Sequence, residues 1–169
     1  MSQLHQVFVV LGSNIAPEAN LAACVALLRE QGRVLAVSPV YETAPVGYTA
    51  QANFLNAAVM VETALPPDEF RRQVIVPIEQ RLGRQRDPAN KNAPRTIDLD
   101  IALWDEGSFD YGEKPWHVPD ENITRFIHVA RPLADLAPGY VHPDDGRTLA
   151  EIAAALPAGG ITRRDDLTL

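Results

Sequence analysis

The chain has 169 residues, 46% hydrophobic and 22% charged, with a formal net charge of −7 and one cysteine. That size and mixture suit a single soluble domain with one good core, and the acidic balance argues against wholesale binding to nucleic acid or an anionic membrane. Cys24 alone can form no internal disulfide and lies among Ala, Val and Leu, which makes it a core residue and favours a reducing compartment. No charged leader with a long apolar run stands at the N-terminus, and no stretch approaches the ~18 apolar residues of a membrane span. A cytoplasmic protein is expected.

Val7 to Leu11 is apolar on both faces, as a central strand is, and Gly12-Ser13-Asn14 ends it with turn chemistry. After Pro17, Leu21, Val25 and Leu28 recur at helical spacing with Gly32 at the terminus. Residues 33–42 alternate through Leu35, Val37 and Tyr41 as a second strand, where Pro39 marks an edge or a bulge. Thr43 to Thr49 is too rich in breakers to be regular and is expected to be a mobile loop. Phe54 to Glu62 forms a third strand with Phe54 and Asn56 on one face. Pro66-Pro67-Asp68-Glu69 opens a second helix through Phe70, Val74, Ile78 and Leu82. Pro77 is expected to kink or break it, at a cost of ~3 kcal/mol, and Gly83 closes it. Ile97 to Leu103 is a strand with branched aliphatics at every odd position.

The order is β-α-β-β-α-β, an α+β, ferredoxin-like arrangement. Beyond Trp104 a turn or short hairpin over 105–115, a short helix over 122–130 and a final helix from the capping box Thr148-x-x-Glu151 are expected. The chain is thus one domain over 1–158 with additional C-terminal helices, and a loosely held tail over 159–169.

Within the last strand, Asp98 and Asp100 fall on the same face, roughly 6.6 Å apart along the backbone. Two ionised carboxylates at that distance repel unless a positive charge lies between them. Hard oxygen ligands of this kind suit Mg²⁺, which takes one or two carboxylates plus substrate phosphates; a half-exposed strand with two solvated acids is the plain alternative. Upstream, Arg81, Arg84, Arg86, Lys91 and Arg95 put five cations into fifteen positions against one acid, Asp87. Cations for phosphate oxygens beside acids for Mg²⁺ are what phosphoryl transfer requires, and no P-loop sequence is present.

The run Lys91-x-Ala93-Pro94-Arg95-x-x-Asp98-Leu99-Asp100-Ile101 resembles the signature of the 6-hydroxymethyl-7,8-dihydropterin pyrophosphokinase family, folate-pathway enzymes that move pyrophosphate from ATP to a pterin alcohol. Leu11-Gly12-Ser13-Asn14, Tyr41-x-Thr43-x-Pro45-Val-Gly47, Phe54-Leu-Asn56-Ala-Ala, Glu79, Gly83-Arg84-x-Arg86 and Arg131 to Pro138 extend the resemblance over about residues 7–156. It implies ATP as co-substrate and two Mg²⁺ ions on Asp98 and Asp100. It implies an ATP site of Glu79, Arg84, Arg86, Lys91, Arg95, Ile101 and His117, with Arg84 and Arg95 acting in catalysis. It also implies a pterin site of Thr43, Ala44, Val46, Phe54, Asn56, Phe126 and His128. The partners are then ATP and a pterin, with no nucleic acid and no membrane, and a monomer is expected, a homodimer remaining open.

The chain departs from the family pattern at Asp120, where a histidine commonly meets phosphate, and at Phe126 and His128, where an arginine and an aromatic are common. Asn92 stands for a tryptophan and Val76 for a polar residue. Two further readings stay open: a divergent relative with an altered pterin-like substrate or weak activity, and a non-enzymatic ferredoxin-like binding module. The acidic charge and the absence of an aromatic RNA-binding strand count against the second.

Overall fold

The computed structural model describes residues 2–169. At its centre lies β1 (His5–Ser13), antiparallel to β5 (Asp98–Trp104) on one side and to β4 (Phe54–Thr63) on the other. β2 (Arg33–Val37) and β3 (Tyr41–Thr43) both pair antiparallel with β4, so the four expected strands assemble in the split order of a ferredoxin-like sheet. Both faces of β1 are covered, which is why its run is apolar throughout. Val7, Val9 and Leu11 pack against α1 (Pro17–Gln31) and a helical segment over 67–81, whereas Phe8 packs against α4 (Ile127–Leu136) and α5 (Leu149–Ala155). On this second face the sheet and α4 enclose the cleft described below.

Several expectations change in detail. The strand expected over 33–42 is divided at Ser38–Val40. Pro39 has no N–H for the ladder, and Ser38 keeps the chain beside β4 instead: its N–H donates to Ala58 O (2.9 Å) and its hydroxyl accepts from Ala58 N (2.8 Å). Pro77 does not end its helical run, but the run is irregular just before it. The run continues from α2 (Pro67–Phe70) through a π turn at Arg71–Ile75 into α3 (Val76–Arg81), and the Val76 N–H reaches the Arg71 carbonyl, five residues back. That widened turn seats Pro77 just inside α3, and Gly83 ends the run with φ 76°. The alternation expected through Leu103 ends early: the register shifts beside Phe8 and Val9, so Leu103 joins the α4 face and Trp104 the other.

After β5, β6 (Phe109–Tyr111) and β7 (Trp116–Val118) form the small ribbon. The helix expected over 122–130 is a 3₁₀ turn at Glu121–Thr124 followed by α4, and the capping box at Thr148 and Glu151 starts α5 as its sequence indicates. The tail expected to be loosely held carries β8 (Ile161–Arg163), which pairs antiparallel with β3 as a further edge strand. No helix among the described residues is long and apolar enough to cross a membrane.

Candidate active site

The site begins at one rung of the sheet. Gly12 pairs with Asn56 of β4 on one side and Asp98 of β5 on the other, which sets the amide and the carboxylate roughly 10 Å apart at the backbone. A Cβ on Gly12 would stand 3.5 Å from Asn56 Oδ1 and 3.9 Å from the Phe54 ring, so glycine keeps the floor between them open. The Asn56 amide is only 7% exposed and its N–H groups are spent: Nδ2 donates to Thr43 Oγ1 (2.8 Å) and to Tyr41 O (3.4 Å). Its oxygen is left to accept from whatever occupies the floor.

Three adjoining cavities meet at the two acids. The first, about 150 Å³, is lined by Thr43, Ala44, Val46, Phe54, Asn56 and His128 and bounded by Asp98. The second, about 460 Å³, contains both Asp98 and Asp100 with Lys91, Arg95, Asp120, Phe126 and His128. The third, about 410 Å³, runs from Asp100 and Asp120 past Ile101 and Arg71 to Tyr111, Trp116 and His117. In its wall the Arg71 guanidinium lies 4.1 Å from the centroid of Trp116, and Trp116 stacks on Tyr111 at 5.8 Å and 28°. Arg84, Arg86, Lys91 and Arg95 line a fourth pocket of about 230 Å³ beside them.

The two carboxylates lie in different fields. Burial works to raise the Asp98 carboxyl, but Arg84 (NH1 to Oδ1, 2.9 Å) and Arg95 (NH1 to Oδ2, 3.1 Å) overcome it and hold Asp98 below its ordinary value. For Asp100, burial is reinforced by the charges of Asp98, Asp120 and Glu79, with only Arg71 opposing, and its carboxyl is pushed well above the usual range. No cation within ion-pair distance meets Asp100 among the described residues. Asp120 is raised as well, chiefly by burial; its side chain caps the 3₁₀ turn by accepting from Asn122 N (2.8 Å).

Two acids and no third ligand make an open donor set, and among the described residues no group of three or more His, Cys, Asp or Glu is placed to hold a metal. Such a pair fits Mg²⁺, which takes its remaining oxygens from water and substrate phosphate, and Asp100, which has no basic partner within ion-pair distance among the described residues, is the carboxyl whose ionised form a cation would stabilise.

The structure brings nearly every sequence-derived candidate onto these walls. Glu79 is the exception: it is 4% exposed, lies behind the cleft, and accepts from Arg84 (3.3 Å), Arg86 (3.2 Å) and Leu99 N (3.4 Å). It anchors two arginines from below and lines none of these cavities. Burial, then the charge of Asp98, raises its carboxyl against the pull of Arg84 and Arg86. His117 reaches the third cavity but spends its nitrogens on Asp110 (Nδ1, 2.7 Å) and Asp144 (Nε2, 2.9 Å). Phe126 and His128 stack on each other at 5.3 Å and 28°.

Sequence reasoning missed Arg71 and Tyr111, which carry no pattern of their own. It also missed a bridge between the loops over 44–53 and 82–97. Asn14 Nδ2 donates to Gln51 Oε1 (2.7 Å), Gln51 Nε2 donates to Asn92 O (2.8 Å), and Asn14 Oδ1 accepts from Arg95 N (2.9 Å). The polar Asn14 after a strand-ending glycine was the available signal.

The family model described as 7,8-dihydro-6-hydroxymethylpterin-pyrophosphokinase matches residues 8–138. The chain is 37% identical over 163 residues to the 2-amino-4-hydroxy-6-hydroxymethyldihydropteridine pyrophosphokinase of Pseudomonas aeruginosa, covering 95% of this chain and 97% of that one. It is 39% identical over 132 residues to the protein of the same name from Bacillus subtilis, covering 76% of each. Among solved structures, wild-type Plasmodium falciparum HPPK-DHPS superposes with a TM-score of 0.69 at 14% identity, over 91% of this chain and 45% of that longer one, which supports the fold. The chain belongs to the 7,8-dihydro-6-hydroxymethylpterin-pyrophosphokinase family.

Proposed function

We propose that the chain transfers pyrophosphate from ATP to the hydroxymethyl oxygen of 6-hydroxymethyl-7,8-dihydropterin, releasing AMP, a reading in keeping with relatives named 2-amino-4-hydroxy-6-hydroxymethyldihydropteridine pyrophosphokinase. The observation that carries this is the junction of the cavities at Asp98 and Asp100, with an aromatic-and-amide pocket on one side and a larger cavity beside four cations on the other.

In this reading the pterin enters the first cavity, stacks on Phe54 and gives N–H groups to the free oxygen of Asn56. His128 and Phe126 form the opposite wall. ATP occupies the second and third cavities, its base end toward Ile101 and His117 and its phosphates toward Arg84, Arg86, Lys91 and Arg95. The hydroxymethyl oxygen attacks the β-phosphorus, the bond from that phosphorus to the oxygen bridging to the α-phosphate breaks, and AMP leaves as the hydroxyl proton is lost. Arg84 and Arg95 neutralise charge as it shifts toward the leaving oxygen. Asp98 and Asp100 would hold two Mg²⁺ ions, which when bound supply charge neutralisation of the phosphates and polarise the reacting oxygens. Loops closing over the cleft exclude water, the competing acceptor. All residues given these roles lie on one chain, so a single protomer would carry a whole site, and its one thiol, Cys24, is buried.

Incubation of the protein with ATP, Mg²⁺ and 6-hydroxymethyl-7,8-dihydropterin is expected to yield AMP and the pterin diphosphate in equal amounts, and no AMP when the pterin is omitted. Folded protein that binds ATP yet forms no AMP would contradict the proposal.

A further inference from the structure

The C-terminal strand lies outside residues 8–138, which the family model matches, yet it is tied to the first cavity. β8 pairs with β3 in the register Tyr41↔Arg163, Glu42↔Thr162 and Thr43↔Ile161. Thr43 lines that cavity and holds the Asn56 amide. Just past the strand, Arg164 N donates to Val40 O (2.8 Å), and its guanidinium gathers two carboxylates from distant parts of the chain, Glu42 (NH1, 2.8 Å) and Glu18 of α1 (NH2, 3.0 Å), with the neighbouring Asp166 (NH2, 2.8 Å). Glu42 spans the gap. Its Oε1 takes Arg164, and its Oε2 accepts from Asn53 Nδ2 (3.2 Å), the residue immediately before Phe54. Behind the strand, Leu167 and Leu169 pack on the core shared with α1.

We propose that β8 and Arg164 form a positioning element for the pterin half of the active site. The tail sets β3 from its outer edge, and the Arg164–Glu42–Asn53 relay fixes where Phe54 leaves the loop and enters β4. The two walls of the first cavity, Thr43 with Asn56 and Phe54, are thereby held in register before ligand arrives. Among the described residues β8 and Arg164 make no hydrogen bond to the ATP side, whose cations sit on residues 84–95 and whose far wall lies on β6 and β7. The inference rests on the functional reading above for the identity of the ligand.

The test compares the two substrates in Arg164→Ala, Arg164→Lys, Glu42→Gln and a chain ending at Gly160. Pterin binding is read directly by titrating 6-hydroxymethyl-7,8-dihydropterin in the presence of α,β-methylene-ATP, and nucleotide binding by titrating that analogue alone. A misplaced pocket wall loses ground-state contacts, so Arg164→Ala is expected to raise the pterin Kd and KM about fivefold while the nucleotide Kd and kcat stay within about twofold. Arg164→Lys recovers part of the loss, and Glu42→Gln reproduces it without adding to Arg164→Ala. An unchanged pterin Kd in Arg164→Ala, or equal weakening of both ligands, overturns the proposal. Should the shortened chain fail to fold, the point variants decide alone. Wild-type protein that binds the pterin but forms no AMP refutes the proposed reaction while the variant comparison of pterin Kd still stands.

Discussion

Asp98 and Asp100 are separated by one residue on the same strand, yet one is held by two arginines and the other shares its cavity with a further acid, Asp120. Asp98 is neutralised by Arg84 and Arg95, whereas burial, with Asp98, Asp120 and Glu79 close by, drives the Asp100 carboxyl upward. One end of the cleft is therefore complete in the free protein, and the other is held in an unfavourable charge state. The proposed seat for Mg²⁺ and the ATP phosphates would keep that imbalance at a cost in stability.

The largest expected effect comes from removing either acid. Asp98→Ala and Asp100→Ala should each lower kcat by about a thousandfold or more, since an Mg²⁺ seat acts in the transition state; AMP release measures it, and an unchanged rate in either variant breaks the metal assignment. Arg84→Ala comes next. It leaves Glu79 and Asp98 without a shared partner, and breaking a buried pair costs ~3 kcal/mol, so chemical denaturation should show a lower midpoint along with slower turnover. Arg86→Ala, removing a guanidinium with a 62% exposed side chain, should leave the midpoint nearly unchanged.

The comparison is sharpest in the amide variants of the metal-free protein. A carboxyl raised in the folded state destabilises it once pH rises above the ordinary value of 3.8, and the penalty is complete above the folded value. Asp100→Asn should therefore raise the melting temperature at pH 7 by a few degrees while abolishing activity. Asp98 is lowered, and its stabilisation is present above 3.8 and lost as pH falls through the folded value. Asp98→Asn should lower the melting temperature at pH 7. Shifts of the same sign would remove the distinction drawn between them.

The smallest effect concerns the ribbon that walls the Asp100 side. Asp144, then Asp110, raise His117 above its ordinary 6.5. The stabilisation is whole below 6.5 and fades as pH climbs through the raised value. His117→Gln should flatten the pH dependence of the melting temperature above 6.5 by about a degree, because exposed pairs contribute little.

This contrast marks what the sequence could disclose. The period-two pattern places both acids on one face, and turn glycines, proline at helix starts and the capping box mark elements whose causes are local. The charge states of Asp98 and Asp100 depend on Arg84 and Asp120, which arrive by tertiary folding, as well as on Arg95 three residues before Asp98. Glu79 resembles a ligand-facing acid because nothing in its neighbourhood records that α3 turns it inward. Ser38 standing in for a backbone partner, and Ile-Thr-Arg at 161–163 finding an edge 120 residues earlier, are long-range events with no periodic trace. The loop bridge through Asn14, Gln51 and Asn92 is of the same kind.

Calorimetric titration of Mg²⁺ into the protein with α,β-methylene-ATP bound tests the central claim most directly. Two equivalents should bind to the wild type, and Asp100→Asn should lose at least one of them together with part of its nucleotide affinity. Identical Mg²⁺ stoichiometry and affinity in wild type and Asp100→Asn would contradict it.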